Sequence, residues 1–484
     1  MTPRPIVRLL LLLAIGTGSL SCYPAPHMAY HSVPESVEER NGQQPYDLAY
    51  LEFDEQGDPW ELPEKTENGQ LDRAIEMIDR VNASPGDDRG DPDGAIFVTF
   101  VHGWRNDAAP GNGNLANFRE SLAKLAAAEE ADAARDHRPV RPVAGIYVAW
   151  RGDSIRTPKA LPWLAGLDFL SYWNRNDTAL RIASRPPATQ ALLILLKEIQ
   201  GNRFSRSIVI GHSMGALILE RAVSQAFVGV INEAKYRPRC ADPCPDCAEK
   251  PECPRSIERP EELRPGKFKA PADLIVFVNS AAPAIQAKHL IEIFSDPEIA
   301  STTDHGQIPF ILSVTAENDK ATKRVFPIAM RLESQNELFR KEKGLDQRSL
   351  ILHTGGHTRS LYSHDTIDYR KDVPCEGLAD VRSYGVVRCI DEEAGGNKLV
   401  FTIHGNENGT AVTRKFMLEQ QGTNRTPYWI LQAPRSLIDG HSKFFNDGFS
   451  DFLRGIITAL GANEPGEAKT YSTEMLASAG TSKE

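Results

Sequence analysis

The stretch from Ser207 to Leu219, Ser-Ile-Val-Ile-Gly-His-Ser-Met-Gly-Ala-Leu-Ile-Leu, constrains this chain more than any other. A β-branched run ends in Gly-His-Ser-Met-Gly and passes directly into a helix-forming sequence, with neither Pro nor Gly between Ala216 and Val228. Ile208, Val209 and Ile210 suit a parallel strand buried on both faces. So short a link between strand and helix forces a sharp turn at Ser213. Gly211 and Gly215 stand where a Cβ would collide with neighbouring backbone. The turn holds the Ser213 hydroxyl clear of the sheet and points the first helical N–H groups past it, the pattern of a nucleophile elbow. Gly-x-Ser-x-Gly alone arises by chance about 0.1 to 0.2 times in a chain this long, so its surroundings must decide.

Those surroundings alternate strand and helix. Tyr46 to Phe53 alternates apolar and polar residues, and Glu55-Gln-Gly-Asp58 forms a turn before Trp60, which predicts an opening hairpin. Leu71 to Val81 has helical spacing, and a Pro/Gly/Asp loop from Asn82 to Gly94 leads to an apolar strand, Ala95 to Val101. Helix Leu115 to Ala134 precedes strand Val143 to Trp150, and helix Thr189 to Ile199 precedes strand Ser207 to Ile210. Strand Leu274 to Val278, helix Ile285 to Phe294, strand Phe310 to Val314, strand Tyr428 to Leu431 and helix Phe445 to Leu460 complete the order. The fold class this predicts is α/β, a mostly parallel central sheet with helices on both faces.

Two stretches interrupt the alternation, about 236–269 and 320–425. Both are too long for ordinary connections and are expected to act as cap or lid over the carboxyl end of the sheet. The aromatic run from Leu161 to Trp173 fits either an acyl pocket and lid or ordinary helix core.

The N-terminus has the form of a targeting segment over residues 1–21: Arg4 and Arg8 precede an apolar core from Leu9 to Leu20, with small Ser19 and Ser21 before Cys22. Ser19 to Cys22 resembles a bacterial lipobox, though Ser19 stands where Leu is usual; export is expected, with membrane attachment through a lipidated Cys22 as one form of it. Residues 22–45 are expected as a polar linker, 46–462 as the folded domain and 463–484 as a disordered tail. A net charge of −10 without a basic cluster argues against nucleic acid as a partner. Setting Cys22 aside from the seven cysteines leaves six, an even number that suits an oxidising compartment. Cys240, Cys244, Cys247 and Cys253 fit either two disulfides or a zinc site, with export favouring disulfides, and Cys375 with Cys389 would close a further loop.

A serine hydroxyl attacks at neutral pH only with a base, a carboxylate that orients the base, and donors for the oxyanion. Candidates occur in a consistent order. Thr315-Ala-Glu-Asn-Asp319 follows a strand, and Leu437-Ile-Asp-Gly-His441 follows the last strand and precedes the last helix. Asp319 is the first choice of acid and Glu317 its rival; His441 is the first choice of base over His353, His357, His364 and His404. On these motifs, with Phe100-Val-His-Gly-Trp104, residues 46–460 resemble the α/β-hydrolase superfamily, in particular exported bacterial hydrolases of serine esterase and lipase type. The resemblance implies acylation of Ser213 and hydrolysis of a small-molecule or lipid ester, with no cofactor and no metal. It also implies Gly103 and the N–H groups of Trp104 and Met214 around the oxyanion, with His102 bracing the loop and His212 packing beside the nucleophile. An amidase or peptidase with the same triad, and a non-catalytic binding protein on the same fold, are the competing readings.

Overall fold

The computed structural model describes residues 28–38, 44–62, 68–83, 94–152, 171–202, 204–236, 270–295, 309–340, 346–371, 386–387, 398–407, 410–421 and 426–461. From the N-terminus come β1 (Glu35–Val37), β2 (Tyr46–Phe53), α1 (Gln70–Asn82), β3 (Ile96–Val101), α2 (Gly113–Asp136) and β4 (Val143–Trp150). Next are α3 (Ser171–Ser184), α4 (Pro186–Ile199), β5 (Arg206–His212), α5 (Met214–Tyr236), β6 (Leu274–Val278), α6 (Ala284–Ser295) and β7 (Ile311–Ala316). A π-helical turn, Ala321–Val325, leads into α7 (Phe326–Glu333), followed by α8 (Gln347–Leu352), β8 (Asp368–Lys371), β9 (Val386–Val387), β10 (Lys398–Glu407) and β11 (Thr410–Glu419). β12 (Tyr428–Ala433) and α9 (Asp447–Gly461) close the described chain.

The main sheet has eight strands in the order β1-β2-β4-β3-β5-β6-β7-β12. All pair in parallel except β1, which lies antiparallel against β2. β3, β4, β6 and β7 are buried at every position, as parallel strands between two helical layers must be. α1, α3, α4, α5 and α6 cover one face; α2 and α9 cover the other. In α1 the buried residues Ala74, Met77, Ile78 and Val81 fall on one stripe at helical spacing. Pro at the first positions of α4 ends α3 and starts a new helix, and the Asn112 side chain caps α2 by accepting from the N–H groups of Asn114 and Leu115. β3 lies between β4 and β5, so the winding reverses there. The loops after β3 and β5 diverge and leave a crevice at the carboxyl edge.

Three expectations need correction. The opening hairpin stops after a single antiparallel bridge, Phe53 to Pro59, because the next donor, the Glu52 N–H, bonds to Gln70 Oε1 at 2.7 Å instead of to the returning chain; β2 pairs in parallel with β4 on its other edge. The stretch expected as linker is partly bound to the domain. Glu35–Val37 forms β1, and the N–H groups of Tyr30 and His31 donate to the buried Glu52 carboxylate at 3.0 and 2.9 Å. The third concerns the 320–425 insertion, whose described part is only partly a cap. Its first turn flanks the carboxyl edge, but β8, β11, β10 and β9 form a separate antiparallel sheet in that order. That sheet packs on the outer side of α9: Phe401 and Phe416 stack 5.1 Å apart and meet Phe452 at 6.0 and 5.5 Å. Arg414 of β11 pairs with Asp451 of α9 at 2.5 Å, both buried.

The 236–269 insertion, the cysteines, the targeting segment, residues 161–170 and the C-terminal tail lie outside the described residues. Tyr172 and Trp173, at the end of the aromatic run, belong to α3 and pack into the core. Among the described residues no helix is long and apolar enough to cross a membrane.

The second sheet shares its core with the main one, so the two should unfold together. Phe401→Ala is expected to cost about 3 to 5 kcal/mol in denaturant unfolding while leaving one transition; two resolved transitions would show an independent unit.

Candidate active site

Ser213 follows β5 with φ +55, in the left-handed region that a side chain rarely adopts. Neighbouring backbone holds it there: Ser213 N–H donates to the Val278 carbonyl at 3.0 Å, and the Ser213 carbonyl accepts from Ala281 and Leu217, both at 3.1 Å. The flanking glycines are required by space. A Cβ on Gly215 would lie 2.2 Å from the Val101 carbonyl oxygen, and one on Gly211 2.7 Å from Ala216 Cα. The turn therefore depends on close contact with the end of β3 as well as on its own sequence.

His441 reaches Ser213 from the loop after β12. Its Nε2 lies 2.8 Å from Ser213 Oγ, and its Nδ1 lies 2.8 Å from Asp319 Oδ2 at the end of β7. Opposite an ionised carboxylate, Nδ1 carries the proton and donates to Asp319, which leaves Nε2 to accept from the serine hydroxyl. Asp319 is fully buried. Burial would push its carboxyl up, but hydrogen bonds from His441, from the Thr322 hydroxyl at 2.5 Å and from the Ala321 N–H at 2.8 Å outweigh it and hold the group below the usual range. Glu317 is exposed and turned away, accepting from the Arg435 N–H at 3.0 Å.

The oxyanion candidates stand beside the serine. A Cβ on Gly103 would lie 2.9 Å from Ser213 Cβ and 2.8 Å from the His212 carbonyl oxygen, so only glycine lets the loop after β3 approach this closely. Met214 opens α5, where the leading N–H groups have no partner within the helix. The Trp104 loop is braced from several sides. Its carbonyl accepts from Asn106 Nδ2 at 3.1 Å, Arg105 N–H donates to the Gly152 carbonyl at 2.7 Å, and the Trp104 ring packs edge to face on Tyr172. His102 donates from Nδ1 to the Gly103 carbonyl at 2.9 Å and accepts at Nε2 from the Trp150 N–H at 3.1 Å. Burial lowers the imidazole to about 4, so it braces the loop as a neutral ring.

Three contributors were missed from sequence, and a fourth, His212, was expected only to pack beside the nucleophile. His212 Nε2 donates to the His441 carbonyl at 2.8 Å; burial pulls this ring down to about 3 and keeps it neutral. Asn279, at φ +49, donates to the same carbonyl at 2.7 Å and accepts from the Ala316 N–H at 2.8 Å, tying the histidine turn to the end of β7. Asn318 accepts from the Gly440 N–H and donates to Asp439, both at 2.9 Å. Thr322 accepts from His357 Nε2 at 2.9 Å while donating to Asp319. Asn318 and Thr322 have a local signal in lying within three residues of Asp319, whereas His212 and Asn279 lie far from their partners in sequence. The remaining histidines sit elsewhere: His353 Nδ1 donates to the Ser349 carbonyl, the His364 ring lies tilted against Trp429 at 4.1 Å, and His404 pairs with Thr413 in the second sheet.

Among the described residues no cluster of His, Cys, Asp and Glu is arranged to hold a metal. Chemically, the arrangement can take a proton from Ser213 as its oxygen attacks an electrophile, stabilise the resulting imidazolium through Asp319, and return the proton to a leaving group. Comparison of the chain with protein-family models, curated proteins and solved structures found no match.

The buried neutral histidines make stability depend on pH. Free imidazole titrates near 6.5, and His102 and His212 are held at about 4 and 3 in the fold. Their contribution is fully present above about pH 6.5 and is lost as pH falls toward those lowered values, because only the unfolded chain takes up the protons. The expected loss is roughly 1.4 kcal/mol per pH unit for each ring between about pH 6 and 4. Denaturant melts across that range test it, and unchanged stability would contradict it.

Proposed function

We propose that the chain is a serine hydrolase of the α/β-hydrolase fold that cleaves carboxylic esters through an acyl-enzyme on Ser213. The observation that carries the reading is the continuous path from Ser213 Oγ to His441 to a buried Asp319, at 2.8 and 2.8 Å. The strand positions support it: the nucleophile follows β5, the acid β7 and the base β12, in the chain order Ser, Asp, His typical of that fold.

In the proposed reaction Ser213 attacks the ester carbonyl while His441 Nε2 takes the hydroxyl proton, and the N–H groups of Trp104 and Met214 receive the developing oxyanion. The imidazolium then protonates the departing alcohol. Water attacks the acyl-enzyme with the same histidine as base, releasing the acid and regenerating Ser213. Loss of one oxyanion donor costs on the order of 3 to 4 kcal/mol in such a site. The segment expected to anchor or export the chain lies outside the described residues, so localisation at a membrane or beyond it stays part of this proposal.

Purified Ser213→Ala protein should lose hydrolysis of a p-nitrophenyl ester series while melting near the wild-type temperature. Undiminished turnover would remove Ser213 from the mechanism. Asp319→Asn should lower the rate by about 10⁴ by favouring the wrong tautomer of His441, while Glu317→Gln changes it little; the reverse ranking would reassign the acid.

Thr322→Val tests the support behind the acid. Loss of its hydroxyl bond lets the Asp319 carboxyl rise, so kcat/KM should fall about tenfold, an effect of about 1.4 kcal/mol. The acid limb of the pH profile should move to higher pH, and Thr322→Ser should restore both. A uniform rate loss without that movement would mean that Thr322 acts only in packing.

A further inference from the structure

Among the described residues, part of one face of β5 is left uncovered between two helices. β3 is buried along its whole length, yet Ile208 and Ile210 of neighbouring β5 remain half-buried toward the α2 and α9 side. Between these helices lies a cavity of about 650 Å³, within the range of small-molecule sites. Its floor includes Val98, Ile208 and Ile210, and one wall is formed by Leu122, Leu125 and Ala128 of α2. Phe444 and Phe445 are also part of the lining, their rings tilted against one another with centroids 4.3 Å apart. Neither Ser213 nor His441 is part of it.

Shape and charge define what fits. On α2 the lining runs from Phe118 to Asp132, about 21 Å of helix, whereas on α9 it runs only from Asp447 to Arg454, about 10 Å, so the space is elongated along α2. All the charged side chains in the lining are engaged. Lys124 pairs with Asp447 at 2.9 Å and Arg454 with Asp132 at 2.8 Å, strapping α2 to α9, and Asp451 is held by Arg414 and Arg454. No charge is therefore left over to bind an ionic head group in the interior. A ligand there gains free energy from apolar burial along its length, about 0.8 kcal/mol per methylene.

We propose that this cavity is a second binding site, separate from the Ser213 centre, for one long unbranched alkyl chain, that of a fatty acid or of a lipid carrying one. A methylene takes a volume close to the roughly 30 Å³ of a water, so a chain of about 16 to 20 carbons takes up most of the space. The bound chain touches Phe444, whose ring lies 4.6 Å from His212, the residue that holds the His441 carbonyl. Occupation therefore steadies the loop that carries His441 without entering the reaction centre.

Equilibrium binding of ¹³C-labelled palmitate and of palmitoyl-lysophosphatidylcholine, both below micelle formation, to full-length Ser213→Ala protein tests this apart from any hydrolysis. Saturation at one equivalent by either probe is expected, and the probe that binds more tightly identifies the source of the chain. Leu125→Trp and, as a milder substitution, Ala128→Leu fill the space and should each weaken binding at least about tenfold, with circular dichroism verifying the fold. Hydrogen exchange at residues 441–449 should slow on binding. The proposal is overturned if neither probe binds, if the folded variants bind as well as the parent, or if phosphonylation of Ser213 in the wild-type protein abolishes binding.

Discussion

The site rests on one buried carboxylate. Asp319 sits at the end of β7 with no solvent access, and an ionised carboxyl survives there only if its oxygens are supplied with donors. Four hydrogen bonds supply them: from the N–H groups of Ala321 and Thr322 in the π-helical turn, from the Thr322 hydroxyl and from His441 Nδ1. The first three come from the segment immediately after β7, and the fourth must cross from the loop after β12. Meeting the needs of one charge thus fixes the orientation of the imidazole, and the imidazole fixes the hydrogen bond to Ser213. The neutral rings of His212 and His102 behind it, kept uncharged by burial, hold the two flanking loops without adding a competing positive charge.

The same economy appears in the backbone. Ser213 and Asn279 both adopt positive φ at the ends of adjacent parallel strands, and both lie within the hydrogen-bonded region that joins β5, β6 and β7. Conformations costing on the order of 1 to 3 kcal/mol each persist when surrounding bonds over-determine them. Here the Val278 and Ala281 contacts do so for Ser213, and the Ala316 contact does so for Asn279. On the far side of the sheet, α9 is sandwiched between β-structures. It covers the main sheet with one side and receives Phe401 and Phe416 of the second sheet on another, so the described part of the insertion extends the core.

Much of this was legible in the sequence wherever local pattern dictates the answer. Val143–Trp150 and Leu274–Val278 form strands with the predicted bounds because continuous β-branched and apolar runs permit little else between two helical layers. Ser213, Asp319 and His441 were legible because each follows a strand at the carboxyl edge, where side chains from distant segments converge. Two kinds of feature escaped. The β10–β11 hairpin lies inside a stretch read as a lid, although Asn408-Gly409 between its arms is a strong hairpin signal. The His212 hydrogen bond to the His441 carbonyl, Asn279 and the Thr322–His357 pair escaped because they depend on partners 35 to 229 residues away, which no local pattern encodes.

The central claim is that this arrangement makes one serine out of the whole chain nucleophilic. Intact-mass analysis after treatment with a fluorophosphonate, followed by peptide mapping, tests it most directly. The account predicts a single adduct, carried by Ser213 and abolished by prior denaturation, since the reactivity belongs to the assembled geometry. No adduct on the native protein, or an adduct on another residue with Ser213 unmodified, would contradict it.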